Sequence, residues 1–199
     1  MRFLVDAGRA RIDALVRRWP QGVCGQLLTP LTGYRLCAHT FAIDNGSFSG
    51  FDLKRFRAVL ARSAAHVDRC LFVAAPDVVG DHQQTLELWK EWHPQLLGWP
   101  LAFVAQDGFA GIPDGARALF IGGSDAFKNS GEAADAVRTA LAAGLHVHIG
   151  RVNSAQRYTR FRALGAHTCD GSGFSRYDAV VRRVLISSKQ QSLGIGGLS

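Results

Sequence analysis

The chain has 199 residues, 47% apolar and 20% charged, and 23 Lys and Arg against 16 Asp and Glu give it a formal net charge of +7. That length and mix fit one ordinary globular domain able to bury a real core. No apolar run of about 18 residues is present, so no transmembrane helix is expected.

The N-terminus, MRFLVDAGRARID, reaches Asp6 too soon for a secretory signal. FLVDAG (3–8) reads as a strand, followed by a helix in RIDALVRRW. TFAIDNG (40–46) is a second strand, leading into a helix through DLKRFRAVLARSA. CLFVAAPDVVGD (70–81) opens as a strand, and QQTLELWKEW after it suits a helix with Trp89 and Trp92 as packing residues. PLAFVAQDG (100–108) and ALFIGGSD (118–125) are two more strands, the latter followed by the Ala-rich helix EAADAVRTALAAG closed at Gly144. LHVHIGRVNS (145–154) precedes the helix AQRYTRFRALG, and AHTCDGSG (166–173) precedes one through YDAVVRRVL. The last eleven residues, 189–199, read as a disordered tail behind a single domain at 1–188.

Strand then helix, repeated with short links, predicts a parallel sheet with crossover helices. Seven such strands point to an α/β fold, a small or trimmed (β/α) barrel of the TIM type, with an open doubly wound sheet as the alternative. A full barrel usually needs about 250 residues, so this one must be trimmed. Cys24, Cys37, Cys70 and Cys169 form no CxxC pair, which argues against a zinc ribbon and for reduced thiols in the cytoplasm.

In parallel α/β folds the chemistry sits at the carboxyl ends of the strands. Here those ends carry Asp6, Asp44-Asn45-Gly46-Ser47, Asp77, Gln106-Asp107, Gly122-Gly123, Arg151 with Asn153, and Asp170. Each has a plain structural reading, since Asp and Asn cap helices and Gly permits tight turns. Their convergence on one rim suggests acid–base or nucleophilic work on a planar group. The Arg-rich positive charge, clustered at 151–162 and 176–183 among other places, suggests a polyanion as partner.

The series of rim motifs resembles the tRNA-guanine transglycosylases and the phage-type DNA guanine transglycosylases. IDNGSF (43–48) is similar to their Asp-Ser-Gly-Gly-Phe segment, and PDVVGD (76–81) stands at their acidic segment. FVAQDG (103–108) looks like their Val-Gln-Gly-Gly strand end, and FIGGSD (120–125) like their Gly-Gly base-binding loop. HVHIGRVNS matches a His-x-x-x-Gly strand, and TCDGSG (168–173) takes the place of the strand end bearing the nucleophile.

The resemblance covers roughly residues 40–173 and implies a catalytic set of Asp170 as nucleophile or cation-stabilising carboxylate and Asp44 as general acid/base, with Asn45 orienting. Asp6 is a rival carboxylate. Asp77, Gln106, Asp107, Gly122, Gly123 and Phe48 would hold an extruded base, although Phe48 and Phe109 read first as packing aromatics. Arg151, Asn153, Arg157, Arg160 and Arg176 would contact phosphate or sugar.

The zinc subdomain of the tRNA enzymes has no counterpart here, which favours DNA, and Asp170 is followed by Gly-Ser in place of the family's longer motif. The expectation is therefore a cytoplasmic DNA glycosylase acting on a modified base, as in phage DNA, with base exchange as the alternative. No cofactor, membrane or protein partner is expected. Two other classes stay open. His146 and His148 with Asp77, Asp81 or Asp170 suit a divalent ion in a hydrolase, and the same pocket suits a non-catalytic reader of modified DNA.

Overall fold

The computed structural model describes residues 1–19 and 22–173. Strand β1 (Arg2–Val5) leads through α1 (Arg9–Arg18) to β2 (Cys24–Leu28), which runs by a long loop to β3 (Phe41–Ile43). Then come α2 (Leu53–Ser63), β4 (Cys70–Ala74), α3 (His82–Trp92) and β5 (Leu101–Ala105). A second helix-free link reaches β6 (Ala118–Ile121), followed by α4 (Asp125–Asn129), α5 (Gly131–Ala142) and β7 (His146–Ile149). The described chain ends with α6 (Ala155–Ala163), β8 (Thr168–Cys169) and the first residues beyond it. The helix expected through 177–185, Arg176 and the tail at 189–199 lie outside the described residues.

All eight strands pair in parallel with their chain neighbours, and β8 returns to β1 through Arg2↔Thr168 and Phe3↔Cys169. The sheet is thus a closed barrel of the expected TIM type, and the open sheet is set aside. The trimming falls at two links, β2–β3 and β5–β6, which carry no α-helix. Strand β2 is the eighth strand and was absent from the sequence reading. Its CGQLL has Gly and Gln in the middle of the strand, and no helix follows to announce it.

Helices form where apolar spacing and caps agree. In α2, Phe56, Val59, Leu60 and Ser63 recur on one buried face, and the Asp52 side chain accepts from the Arg55 N–H at the start. In α5, Ser130 caps Ala133, and Ala133, Ala136, Val137 and Ala140 let the helix lie close to the sheet. Between helices and strands sits the main core, with Phe3, Phe41, Phe56, Phe103 and Phe161 fully buried. Truncating any of these rings to Ala costs about 3–5 kcal/mol. Trp89 and Trp92 belong to this layer, as expected. No helix among the described residues is long and apolar enough to cross a membrane.

A second, smaller cluster fills the barrel interior: Leu4, Leu27, Ala42, Phe72, Ala74, Ala102, Val104, Ala118 and Phe120. Successive strand residues alternate between inside and outside. Continuing the inward set two residues past each end reaches Asp6, Thr29, Asp44, Gln106 and Gly122. From His148 and Thr168 the same step reaches Gly150 and Asp170. Strand period alone therefore aims this group at the carboxyl mouth of the barrel.

Candidate active site

A cleft of ≈ 490 Å³, open to solvent, lies at that mouth. Ala74, Val104, Gly122 and Gly150 leave the space, Phe120 forms part of its wall, and Asp44, Asp77, Gln106, Lys128 and Asp170 supply polar groups. The glycine at 122 is obligatory, because a Cβ there would stand 2.7 Å from Val104 Cγ1 and 2.9 Å from Gln106 Nε2. At Gly150 it would stand 2.5 Å from the Phe120 ring. A wider groove of ≈ 1440 Å³ runs beside the cleft, lined by Asp6, Gly8, Arg11, Thr32, Asn153 and Ser172 among others. Asp44, Phe48, Arg151 and Asp170 border both spaces and form the ridge between them.

Asp170 is held from two sides. Its Oδ1 accepts the Arg151 backbone N–H at 2.8 Å and faces His148 Nε2 at 3.2 Å. Among the described residues nothing donates to Oδ2. Arg151 makes its bond from a left-handed backbone, φ 53°, the one such conformation at a described residue other than glycine. That geometry costs on the order of 1–2 kcal/mol, and it lies beside a candidate nucleophile.

Below Asp170 a polar chain runs down the barrel interior. His148 Nδ1 is 2.9 Å from Thr168 Oγ1, which is also 2.9 Å from His146 Nε2. Burial, with His148, His167 and Arg2 nearby, pushes His146 down to about 3, so it is neutral. These contacts and the one from His148 Nε2 to Asp170 link the four side chains in one hydrogen-bonded chain, with donor and acceptor roles set by the tautomers of the imidazoles. Phe72 and Phe120 clasp the His148 ring at centroid distances of 4.8 and 4.6 Å.

Asp44 differs in kind. Its Oδ1 accepts the Gly46 N–H, at 2.9 Å. Burial pushes its carboxyl up to about 7; the Gly46 bond opposes this, and the charges of Asp170, Asp77 and Asp6 add to it. A carboxyl with that value exists in both forms near neutrality, as an acid–base group needs.

Asn45, buried, does not face the cleft with its amide free. It donates to the Ala75 carbonyl at 2.6 Å and to Asp77 Oδ1 at 2.8 Å. Gln106 donates to Asp77 Oδ2 at 2.5 Å and accepts from the Gly80 N–H at 2.9 Å. Asp77 is raised by burial and partly restored by Asn45, Ser47 and Gln106. These three side chains make a rigid polar belt along one wall of the cleft.

Asp107 stands behind the cleft and holds its loop. It accepts the Ser124 N–H at 2.8 Å and the Ser124 hydroxyl at 2.5 Å. Burial raises its carboxyl, but these bonds outweigh burial and leave it below the usual range. Asp6 lies in the groove and not in the cleft. Thr32 donates to it at 2.7 Å, and its carboxyl is raised by burial against that bond, with Asp170 adding.

Of the arginines, Arg151 lays its guanidinium 3.9 Å over the ring of Phe48, itself 64% exposed at the cleft edge. Phe48 is thus no packing residue, whereas Phe109 packs on His82 and Phe103. Asn153 lines the groove. Arg157 pairs with Asp125 at 2.9 Å, and Arg160 donates to the carbonyls of Lys128 and Ser130. Both are engaged in fixing α4. Asp81 caps α3 by accepting the Gln84 N–H. Among the described residues no three His, Cys, Asp or Glu are grouped to hold a metal ion.

Sequence reasoning missed two residues here. Gly150 was within reach, two positions beyond the inward-facing His148. Lys128 carried no signal, because a lysine in a short polar segment reads as solvated, yet it is 1% exposed and lines the cleft. Compared with known proteins, the chain matches no family model and no curated protein, so the meaning of the site rests on its own geometry.

Proposed function

We propose that this protein is a DNA glycosylase that removes an extruded base from DNA and leaves an abasic site. One observation carries the reading: Asp44 and Asp170 stand together on the ridge between a polar-walled cleft and an open groove. A nucleotide laid across that ridge has its base in the cleft, its sugar over the carboxylates and its phosphates toward Arg151 and the groove. A base within a duplex cannot reach such a cleft, so it must be flipped. The positive charge of the chain suits a phosphate backbone.

The two carboxyl groups take different roles because their surroundings differ. As the bond from C1′ to the base nitrogen breaks, its electron pair leaves with the base and Asp44, protonated, supplies a proton to it. Positive charge develops at C1′ and Oδ2 of Asp170 stabilises or captures it. Asp44, now ionised, takes a proton from the water that attacks C1′, which restores its acid form and releases Asp170. Asp77 and Gln106 hold the base edge, and Phe48 with Arg151 closes the cleft from above.

The test is incubation with duplex and single-stranded DNA carrying ordinary and modified bases, followed by alkali. Strand breaks and free base that vanish in Asp170→Ala support excision. Labelled free base entering intact DNA would instead mean exchange, and tight binding with neither outcome would mean a reader. Loss of activity in EDTA would point to a metal hydrolase.

A further inference from the structure

Lys128, on the short helix α4, is a buried cation that the mechanism above does not use. Its Nζ donates to the Gly123 carbonyl at 3.0 Å. Among the described residues no carboxylate pairs with it within 4.0 Å, while Arg151 and Arg157 crowd it with like charge. Asp170 and Asp125 attract it from farther away. Lys128 lines the cleft, and an ammonium carries three donors, of which the Gly123 carbonyl takes one. A buried charge in this state is costly unless a ligand completes its shell.

We infer that the cleft takes an oxo base, and that Lys128 donates a hydrogen bond to the exocyclic carbonyl oxygen of that base and stabilises the charge it gains on leaving. This rests on the glycosylase reading for its catalytic half but not for its binding half. The chemistry follows from the walls of the cleft. Lys128 supplies a donor, and the C=O of a lactam edge accepts it. An amino-substituted ring offers the reverse, a bare ring nitrogen beside an NH₂ group, which sets donor against donor at Lys128. Sites built on such pairings reject the mismatched partner strongly. When the bond to C1′ breaks, the electron pair spreads from the ring nitrogen to the carbonyl oxygen. The hydrogen bond from Lys128 strengthens at that moment, while the proton the base needs still comes from Asp44. Burial and the two arginines hold Lys128 down to about 8, so it keeps its proton near neutrality.

Hypoxanthine and adenine differ in just this edge and make the probe. Calorimetric binding of each to wild type, K128M and K128Q is compared, with release of each from DNA containing deoxyinosine or deoxyadenosine. Wild type should prefer hypoxanthine at least about tenfold, and K128M should abolish the preference. K128Q, which keeps a neutral donor, should retain part of it. Release of hypoxanthine by K128M should fall about 10²-fold in kcat, the usual effect of losing one such donor. Thermal melting of K128M should match or exceed wild type, because a buried charge is gone. Equal binding of the two bases by wild type, binding of neither, or an undiminished preference in K128M would overturn the inference. A Lys128-dependent preference without any base release would keep the binding site and remove the glycosylase.

Discussion

The two spaces at the barrel mouth share four residues and are otherwise built on opposite plans. The cleft is walled by side chains already tied to one another: Asn45 and Gln106 to Asp77, Lys128 to Gly123, and His148 to Asp170. The groove is bordered by the helix-free β2–β3 loop, and its one acid beyond the ridge, Asp6, is held by an exposed threonine. On the proposed glycosylase reading, a preorganised wall would fit one planar group and the groove would admit a chain of varied sequence. The contrast would then assign selectivity and reach to different halves of the rim.

The largest expected effect separates two acids on either side of that contrast. Asp170→Asn should reduce base release by about 10³-fold or more, whereas Asp6→Asn, in the groove, should change it less than about tenfold. Equal losses would dissolve the distinction between cleft and groove. Asp44→Asn should lower release by about 10²–10⁴-fold, the span of general acid–base contributions.

The same Asp44 variant tests the electrostatics. The folded-state value of about 7 exceeds the ordinary 3.8, so the folded protein binds this proton more tightly than the unfolded chain. That contribution to stability is full below pH 3.8 and is lost as pH rises through 7. Asp44→Asn should therefore melt higher than wild type at pH 8 and gain little at acid pH, as thermal melts across that range would reveal. Gly122→Ala places a Cβ against Val104 and Gln106, so it should cost about 1–3 kcal/mol in denaturant unfolding and abolish free-base binding. Thr32→Val, in the groove, removes the hydrogen bonds of one exposed hydroxyl, to Asp6 and to Thr29. It should cost at most about 0.5–1.5 kcal/mol and leave base release intact.

Much of the architecture was legible because strand period and helix caps are local. Apolar runs such as LAFVA, buried at all five positions, announce a strand covered on both faces. Rim carboxylates were legible for the same reason, since Asp44 and Asp170 follow inward positions two residues earlier. What stayed hidden depends on contacts distant in sequence. Asn45 reads in the sequence as orienting the sugar or base, and its amide reaches 32 residues ahead to Asp77. Arg157 and Arg160 were read as phosphate ligands by charge, yet they fasten a helix about 30 residues behind them. Lys128 is buried by elements that only barrel closure assembles around it.

Strand β2 also conceals the means by which the barrel does without a helix. Gln26 is fully buried, and its amide donates to the carbonyls of Ala7 and Arg35, both at 3.0 Å. Its oxygen accepts the N–H groups of Cys37 at 2.8 Å and Ala38 at 3.3 Å. One side chain thus stitches the end of β1 to the far arm of the loop that follows. Tolerance of this loop to changes in length should then follow position in the stitch and not distance from the rim. Added residues at the outer turn around Gly33 leave all four bonds in place. Removing a single residue between Arg35 and Cys37 pulls a carbonyl and an N–H out of register with the amide, and frees both ends of the loop at once.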